Sequence, residues 1–202
     1  MPRPRSFSQD QVAAAALAVV DADGLAGLSM RTVARQLGIA TMSVYRYVAD
    51  RDELEVMLVD LLLGGVDLEV PRGSAAHRLT VLAERVRDAA EQHPAAMPLL
   101  LAHRHRAPTS LRWGEAVLGV LTDAGCTGRR RVYAFRALLA YVFGALEVQR
   151  FGALGGAGTH ELAQLAAERY PLLSQAATLA RGIDPREEFR GGLEVLLRGL
   201  GL

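Results

Sequence analysis

The chain is marked throughout with helix starts, and no segment alternates apolar and polar residues as a half-buried strand would. Ser8 and Gln11 have the spacing of a capping box, with Phe7 placed to staple onto Val12. Val12, Ala16, Val19 and Val20 then share one face, and Gly24 is positioned to end this first helix. Ser29 is the N-cap of a second, short helix whose buried face is Val33, Ala34 and Leu37 and whose stop is Gly38. A third short helix is expected over Thr41 to Val48. Asp50 and Glu53 begin a fourth, with Leu54, Leu58 and Leu61 as its apolar stripe. Around Gly64, Gly65, Pro71 and Gly73 the periodicity lapses, which makes this the best domain boundary. Helical patterns resume over about 74–92, 94–104, 109–124, 129–151, 159–170 and 185–200. Asp184, Pro185 and Glu187 signal the last start, and Phe189, Leu193, Leu196, Leu197 and Leu200 line one of its faces. The pattern predicts an all-α protein divided into residues 1–66 and residues 67–202.

Half of the 202 residues are apolar, enough to build a sizeable core. Charged residues make up 22% and the net charge is +1, which excludes a disordered chain and a generally basic DNA-coating protein. The charge is unevenly placed, however. Residues 1–51 carry Arg3, Arg5, Arg31, Arg35, Arg46 and Arg51 against Asp10, Asp21, Asp23 and Asp50. Residues 52–70 carry acids alone: Asp52, Glu53, Glu55, Asp60, Asp67 and Glu69. A basic face is thus confined to the N-terminal unit, where phosphates would sit. A single cysteine, Cys126, rules out an internal disulfide, and a reducing cytoplasm fits. The start of the chain has arginines without an apolar run, so no signal peptide is expected. Runs such as "ALLAYVFGAL" reach about half of the ~20 residues that a membrane span needs, and no membrane partner is expected.

Residues 29–48 read as helix, tight turn, helix, the spacing of a helix-turn-helix whose second helix lies in the DNA major groove. The outward side chains of such a helix should be short or planar and able to hydrogen bond. Thr41, Ser43, Tyr45, Arg46 and Tyr47 suit that work, while Val44 and Val48 point back to the core. From the residue pattern alone, a merely structural helix pair is the alternative.

The stretch "LSMRTVARQLGIATMSVYRYVADRDELEVML" resembles the DNA-binding domain of the TetR family of bacterial repressors. The resemblance is carried by Gly24, Leu28, Arg31, Ala34, Leu37, Gly38, Tyr45, Tyr47 and Leu54 after an acidic helix start. It implies a three-helix N-terminal helix-turn-helix domain and a C-terminal helical domain for ligand binding and dimerisation. "AYVFGALEVQ" and "EEFRGGLEVLLRGL" are similar to that domain's last helices. The family's DNA contacts map onto Met30, Arg31, Thr41, Met42, Ser43, Tyr45, Arg46, Tyr47 and Arg51. Arg51 stands where the family usually has a phosphate-contacting lysine, and brings a forked donor in place of a point charge. Ala40 departs from the usual polar residue at the start of the recognition helix, so Thr41 is expected to cap one position later. Met42 departs from the frequent glycine or proline.

The implied function is a ligand-responsive transcriptional repressor that binds a palindromic operator on double-stranded DNA as a homodimer. A small-molecule effector would release it. An activator or ligand-independent regulator of the same fold is the alternative. The segment "RVYAFRALLAYVFGALEVQRF" is apolar nearly all round, which fits either core alone or a helix that also faces a cavity and a partner subunit. The dimer interface is expected on this helix and the last one, with Gly191 and Gly192 permitting close approach. Met97, His103, Trp113, Phe135, Tyr141 and Glu147 are the ligand-binding candidates, and their apolar and aromatic character favours a lipophilic or aromatic molecule.

"AHRHRAP" holds His103 and His105 without nearby acids in sequence, so a solvated corner or a pocket rim is expected before a metal site. Cys126 in "DAGCTG" reads as a small loop residue, although Arg129 to Arg131 lie close in sequence. "GALGGAG" matches neither phosphate-binding fingerprint and is expected to be a connection. No Gly-x-Ser-x-Gly, His-Glu-x-x-His or Cys-x-x-Cys occurs, so no enzyme, metal or cofactor is expected.

Overall fold

A computed structural model describes residues 6–150, 156–166 and 168–202, with residue 150 described by its backbone. Among the described residues all regular structure is helical. The glycine-rich "FGALG" of the expected connection lies outside them. The helices are α1 (Gln9–Gly27), α2 (Met30–Leu37), α3 (Thr41–Val44), α4 (Arg51–Gly64), α5 (Ala75–Glu91), α6 (Met97–His103), α7 (Pro108–Asp123), α8 (Gly128–Arg150), α9 (Ala157–Ala163), α10 (Pro171–Ala180) and α11 (Pro185–Gly199). A 3-10 turn covers Pro94–Ala96.

Several starts follow from local cap chemistry. Ser8 and Gln11 form a capping box on α1. Ser29 caps α2 through the Thr32 amide, with the Thr32 side chain returning to the Ser29 N–H. Asp50 accepts the Glu53 amide at 2.8 Å. Asp184 accepts the Arg186 amide at 2.8 Å, and Pro185 fills the first helical position, where its missing N–H costs nothing. Gly24 interrupts the helical backbone with φ of 68°, and a short continuation runs on to Gly27.

Two expectations are corrected. The third helix ends at Val44 and not at Val48. Residues 45–47 form a turn in which Arg46 and Tyr47 donate to the carbonyls of Ser43 and Val44, three residues back. The extended Asp50 that must cap α4 leaves no room for further helix. The helix expected over 159–170 is shorter, α9 ending at Ala163, and a further helix that the pattern does not announce, α10, follows from Pro171. Pro171 cannot continue a helix and opens the next at its first position.

The chain packs as two compact units. One comprises the chain up to Glu69 together with Arg85–Ala116, the other Val70–Glu84 together with Val117–Leu202. In the first unit α1 packs on α2 and α4, α2 on α3, and α4 on α6. Val12, Val20, Val33, Leu54, Leu58 and Leu100 are sealed from solvent there. Each such side chain contributes roughly 1.5–3 kcal/mol through burial. Leu61 is only half-buried, and Leu62 and Leu63 are buried instead. In the second unit α8 packs on α11 and α9 on α10.

By length and composition alone, Gly128–Gln149 could cross a membrane, with a mean hydropathy of 1.2. The shorter uninterrupted runs in the sequence did not indicate this. Ala134, Leu138, Val142 and Leu146 recur every fourth residue and are buried in the protein, the pattern of a core helix.

Candidate nucleic-acid interface

The helix-turn-helix is built from three local decisions. The Ser29 box fixes where α2 begins. Gly38 ends it in the left-handed region at φ 67°, and the Ile39 amide returns to the Ala34 carbonyl at 3.0 Å. Val44 and Val48 are then buried, as expected from the sequence. Burying these two positions turns the residues between and before them outward. Met42 is 75% exposed and Tyr45 46% exposed, with Arg46 exposed beside them. Thr41 and Ser43 are half-buried. Thr41 is the first residue of α3 and does not cap it: Ala40 holds the cap position, and no side chain bonds the helix start there.

The remaining candidates divide by environment. Arg31 is exposed on α2, whereas Met30 next to it is buried at 8% exposure and belongs to the core. Tyr47 is half-buried and tied to the start of α1. Its hydroxyl accepts the Phe7 amide at 3.1 Å, and its carbonyl accepts from Gln9 Nε2 at 3.1 Å. The Phe7 amide pulls the Tyr47 hydroxyl below the ordinary tyrosine value; partial burial opposes the shift and the nearby Arg46 charge assists it. The Arg46 guanidinium lies 5.9 Å from the Tyr47 ring centroid. Arg51, at the start of α4, donates through Nε to Glu55 Oε1 at 2.8 Å and through Nη2 to the Leu25 carbonyl at 3.3 Å.

Tyr45, Arg46 and Met42 therefore stand together on one exposed face, with Tyr47 as a strut behind them. The supports of this face, Phe7, Gln9 and Glu55, have no signature in the sequence. The strut from α1 joins residues some forty positions apart and has no local pattern.

The ligand candidates fall in both units. Met97, His103 and Trp113 are buried in the first, and the His103 Nε2 lies 2.9 Å from Glu55 Oε2. Phe135, Tyr141 and Glu147 are half-buried on α8 in the second. The Tyr141 hydroxyl donates to the Phe189 carbonyl at 2.8 Å. Burial raises its pKa above the ordinary value and the Glu188 charge adds to this. The first unit also has a cleft of about 540 Å³ lined by Leu17, Leu61, Leu62, Asp67, Arg85 and His93, with none of the six candidates in its wall. Among the described residues no cluster of His, Cys, Asp or Glu is arranged to hold a metal. Cys126 is buried.

Residues 69–201 match the family described as the tetracyclin repressor-like C-terminal domain. The chain belongs to the TetR family. The "HTH-type transcriptional repressor DrrR1" of Streptomyces coeruleorubidus is 30% identical over 98% of this chain and 78% of its own length. The class D tetracycline repressor protein of Escherichia coli is 28% identical over 96% of this chain and 88% of its own. Two solved structures of the TetR family protein ActR from Streptomyces coelicolor are 25% identical. The complex with (S)-DNPA has a TM-score of 0.84 and covers 98% of both chains. The complex with actinorhodin has a TM-score of 0.83 and covers 98% of this chain and 96% of that one. The fold is thus the family's, an N-terminal helix-turn-helix followed by a C-terminal helical domain, and the protein is a DNA-binding transcription regulator.

Proposed function

We propose that this regulator is a repressor that binds a palindromic operator as a homodimer and is released by a small lipophilic or aromatic effector. Residues 1–66 would bind DNA; residues 67–202 would dimerise and receive the effector. The observation that carries the reading is the exposed face of Met42, Tyr45 and Arg46, held outward by the buried Val44 and Val48 behind the Gly38 turn. An extended apolar residue, a phenol and a guanidinium suit thymine methyls, phosphates and guanine edges. Arg31, Thr41, Ser43 and Arg51 would extend the contact, and Tyr47 would orient it.

The homodimer is supported by apolar residues left exposed in the second unit. Val132, Tyr133 and Val148 on α8 and Val195 on α11 face solvent, beyond what those helices bury in their own core. A two-fold dimer presents its recognition helices to successive major grooves, which makes the operator palindromic. The effector reading is supported by the ActR structures with actinorhodin and (S)-DNPA. Phe135, Tyr141 and Glu147 are the candidates on α8. The effector would favour a dimer with its heads at the wrong spacing, which is coupling between two sites through two states. The protein would act in the cytoplasm, with no membrane partner and no catalytic activity.

The deciding experiment is selection of bound duplexes from a random library. An enriched palindrome gives the operator. Release of that duplex by flat aromatic compounds establishes the effector logic. A well-folded protein that enriches nothing at low salt would end the repressor reading.

A further inference from the structure

The start of α4 and the end of α6 meet at one carboxylate. Glu55 Oε1 accepts from Arg51 Nε at 2.8 Å, and Glu55 Oε2 lies 2.9 Å from His103 Nε2. All three residues belong to the same compact unit. The exposure of the three side chains is graded: Arg51 is 53% exposed, Glu55 16% and His103 9%. The buried end of the chain of contacts is on α6 and the solvent end is the guanidinium.

We propose that Glu55 is a positioning residue that couples His103 on α6 to the phosphate-contacting fork of Arg51. The proposal rests on the DNA-binding reading above. Arginine has five N–H donors. Here Glu55 and the Leu25 carbonyl take one each, on Nε and Nη2. The remaining three, including both on Nη1, are free of those two contacts and available to a phosphate. A fork already fixed on two sides loses less freedom when it docks.

His103 fixes the other oxygen. It sits at the C-terminal end of α6, whose Met97, Leu99 and Leu100 are core residues. Its Nδ1 lies 3.9 Å from Asp52, and Asp52 is itself paired with Arg106 of the α6–α7 corner. A shift of the end of α6 along α4 therefore pulls on Glu55 Oε2, and the grip of Oε1 on Arg51 changes with it. The carboxylate reports the position of α6 to the DNA-facing side chain.

The test is a mutant cycle on operator affinity, read across several salt concentrations with the duplex from the selection above. His103→Leu removes the bond to Glu55. It should weaken binding roughly threefold or more in the otherwise native protein, and by less than about twofold when Arg51→Ala or Glu55→Ala is already present. His103→Gln places an amide N–H near the former Nε2 and should restore the native affinity and salt slope. Melting temperatures identify variants that remain folded. An equal effect of His103→Leu with and without Arg51 overturns the coupling, and so does failure of His103→Gln to rescue. If His103→Leu does not fold, the cycle of Glu55→Gln with Arg51→Ala decides, and additivity there overturns it. If Arg51→Ala leaves affinity and salt slope unchanged, the coupling falls while a wild-type protein that binds its operator keeps the DNA-binding reading.

Discussion

Asp60, near the end of α4, accepts the backbone amide of Thr109 at 2.7 Å, and so caps α7 from a different helix. The residue before α7 is Ala107, which has no oxygen to offer, and Pro108 opens the helix without a donor. Thr109 Oγ1 returns to the Asp60 carbonyl at 3.2 Å. Asp60→Ala should cost about 1–2 kcal/mol of stability, in the range for a lost N-cap. Asp60→Asn keeps an acceptor and should cost less. Denaturant unfolding of the three proteins measures the difference, and equal midpoints would remove the cap from the account.

Tyr45 is the cleanest probe of the proposed DNA face, because nearly half of it is exposed. Tyr45→Ala should weaken operator binding while leaving the melting temperature within a few degrees. Arg46→Ala should also flatten the dependence of log K on log salt by about one phosphate contact, if Arg46 meets a phosphate. If it pairs with guanine, discrimination at one base pair relaxes instead. Titrations against operators substituted at single positions separate the two.

The cap residues Ser8, Ser29, Asp50 and Asp184 were legible because a cap is a local arrangement of neighbours in sequence. The burial of Val44 and Val48 was legible for the same reason: four-residue spacing puts them on one side. α10 was not. Its Leu172 and Leu179 are exposed and only Ala177 is buried, so no apolar stripe marked it. Glu55 with His103 and Asp60 with Thr109 span 48 and 49 residues, and no local spacing announces such pairs. The outward exposure of Met42, Tyr45 and Arg46 was therefore readable, and its bracing was not.

Gly192 is expected to permit close helix approach at a dimer interface; within the protein it lies against Tyr141. A side chain at Gly192 would collide with the Tyr141 ring, which also stacks tilted on Phe189 at 5.6 Å. At Gly191 the space is open. Gly192→Val should destabilise by about 1–3 kcal/mol through overpacking. Gly191→Ala should be tolerated. Thermal unfolding of both variants checks the contrast, and similar losses would contradict the packing described.

The exposed apolar residues of α8 and α11 give a direct test of the dimer. Tyr133→Glu with Val195→Glu places two charges on solvent-facing positions and leaves the core untouched. Sedimentation should show a shift from dimer to monomer, accompanied by loss of operator binding. A double variant that stays dimeric would move the interface elsewhere.

Asp52 ties stability to acid pH through Arg106. The Arg106 guanidinium bonds the Asp52 carboxyl and holds it below the usual carboxylate range; partial burial works against the shift, and the charges of His103 and His105 assist it. A carboxylate with a depressed folded pKa contributes stability above its unfolded value, about 3.9, and loses that contribution as pH falls through the folded value. Arg106→Ala should therefore raise the pH at which the protein unfolds in acid. The mutant and native proteins should differ through this pair by a constant amount once the pH is well above 4. Because both side chains are largely exposed, added salt should shrink the difference. Acid titrations followed by circular dichroism, at low and high ionic strength, would show an unchanged acid midpoint if the pair were without effect.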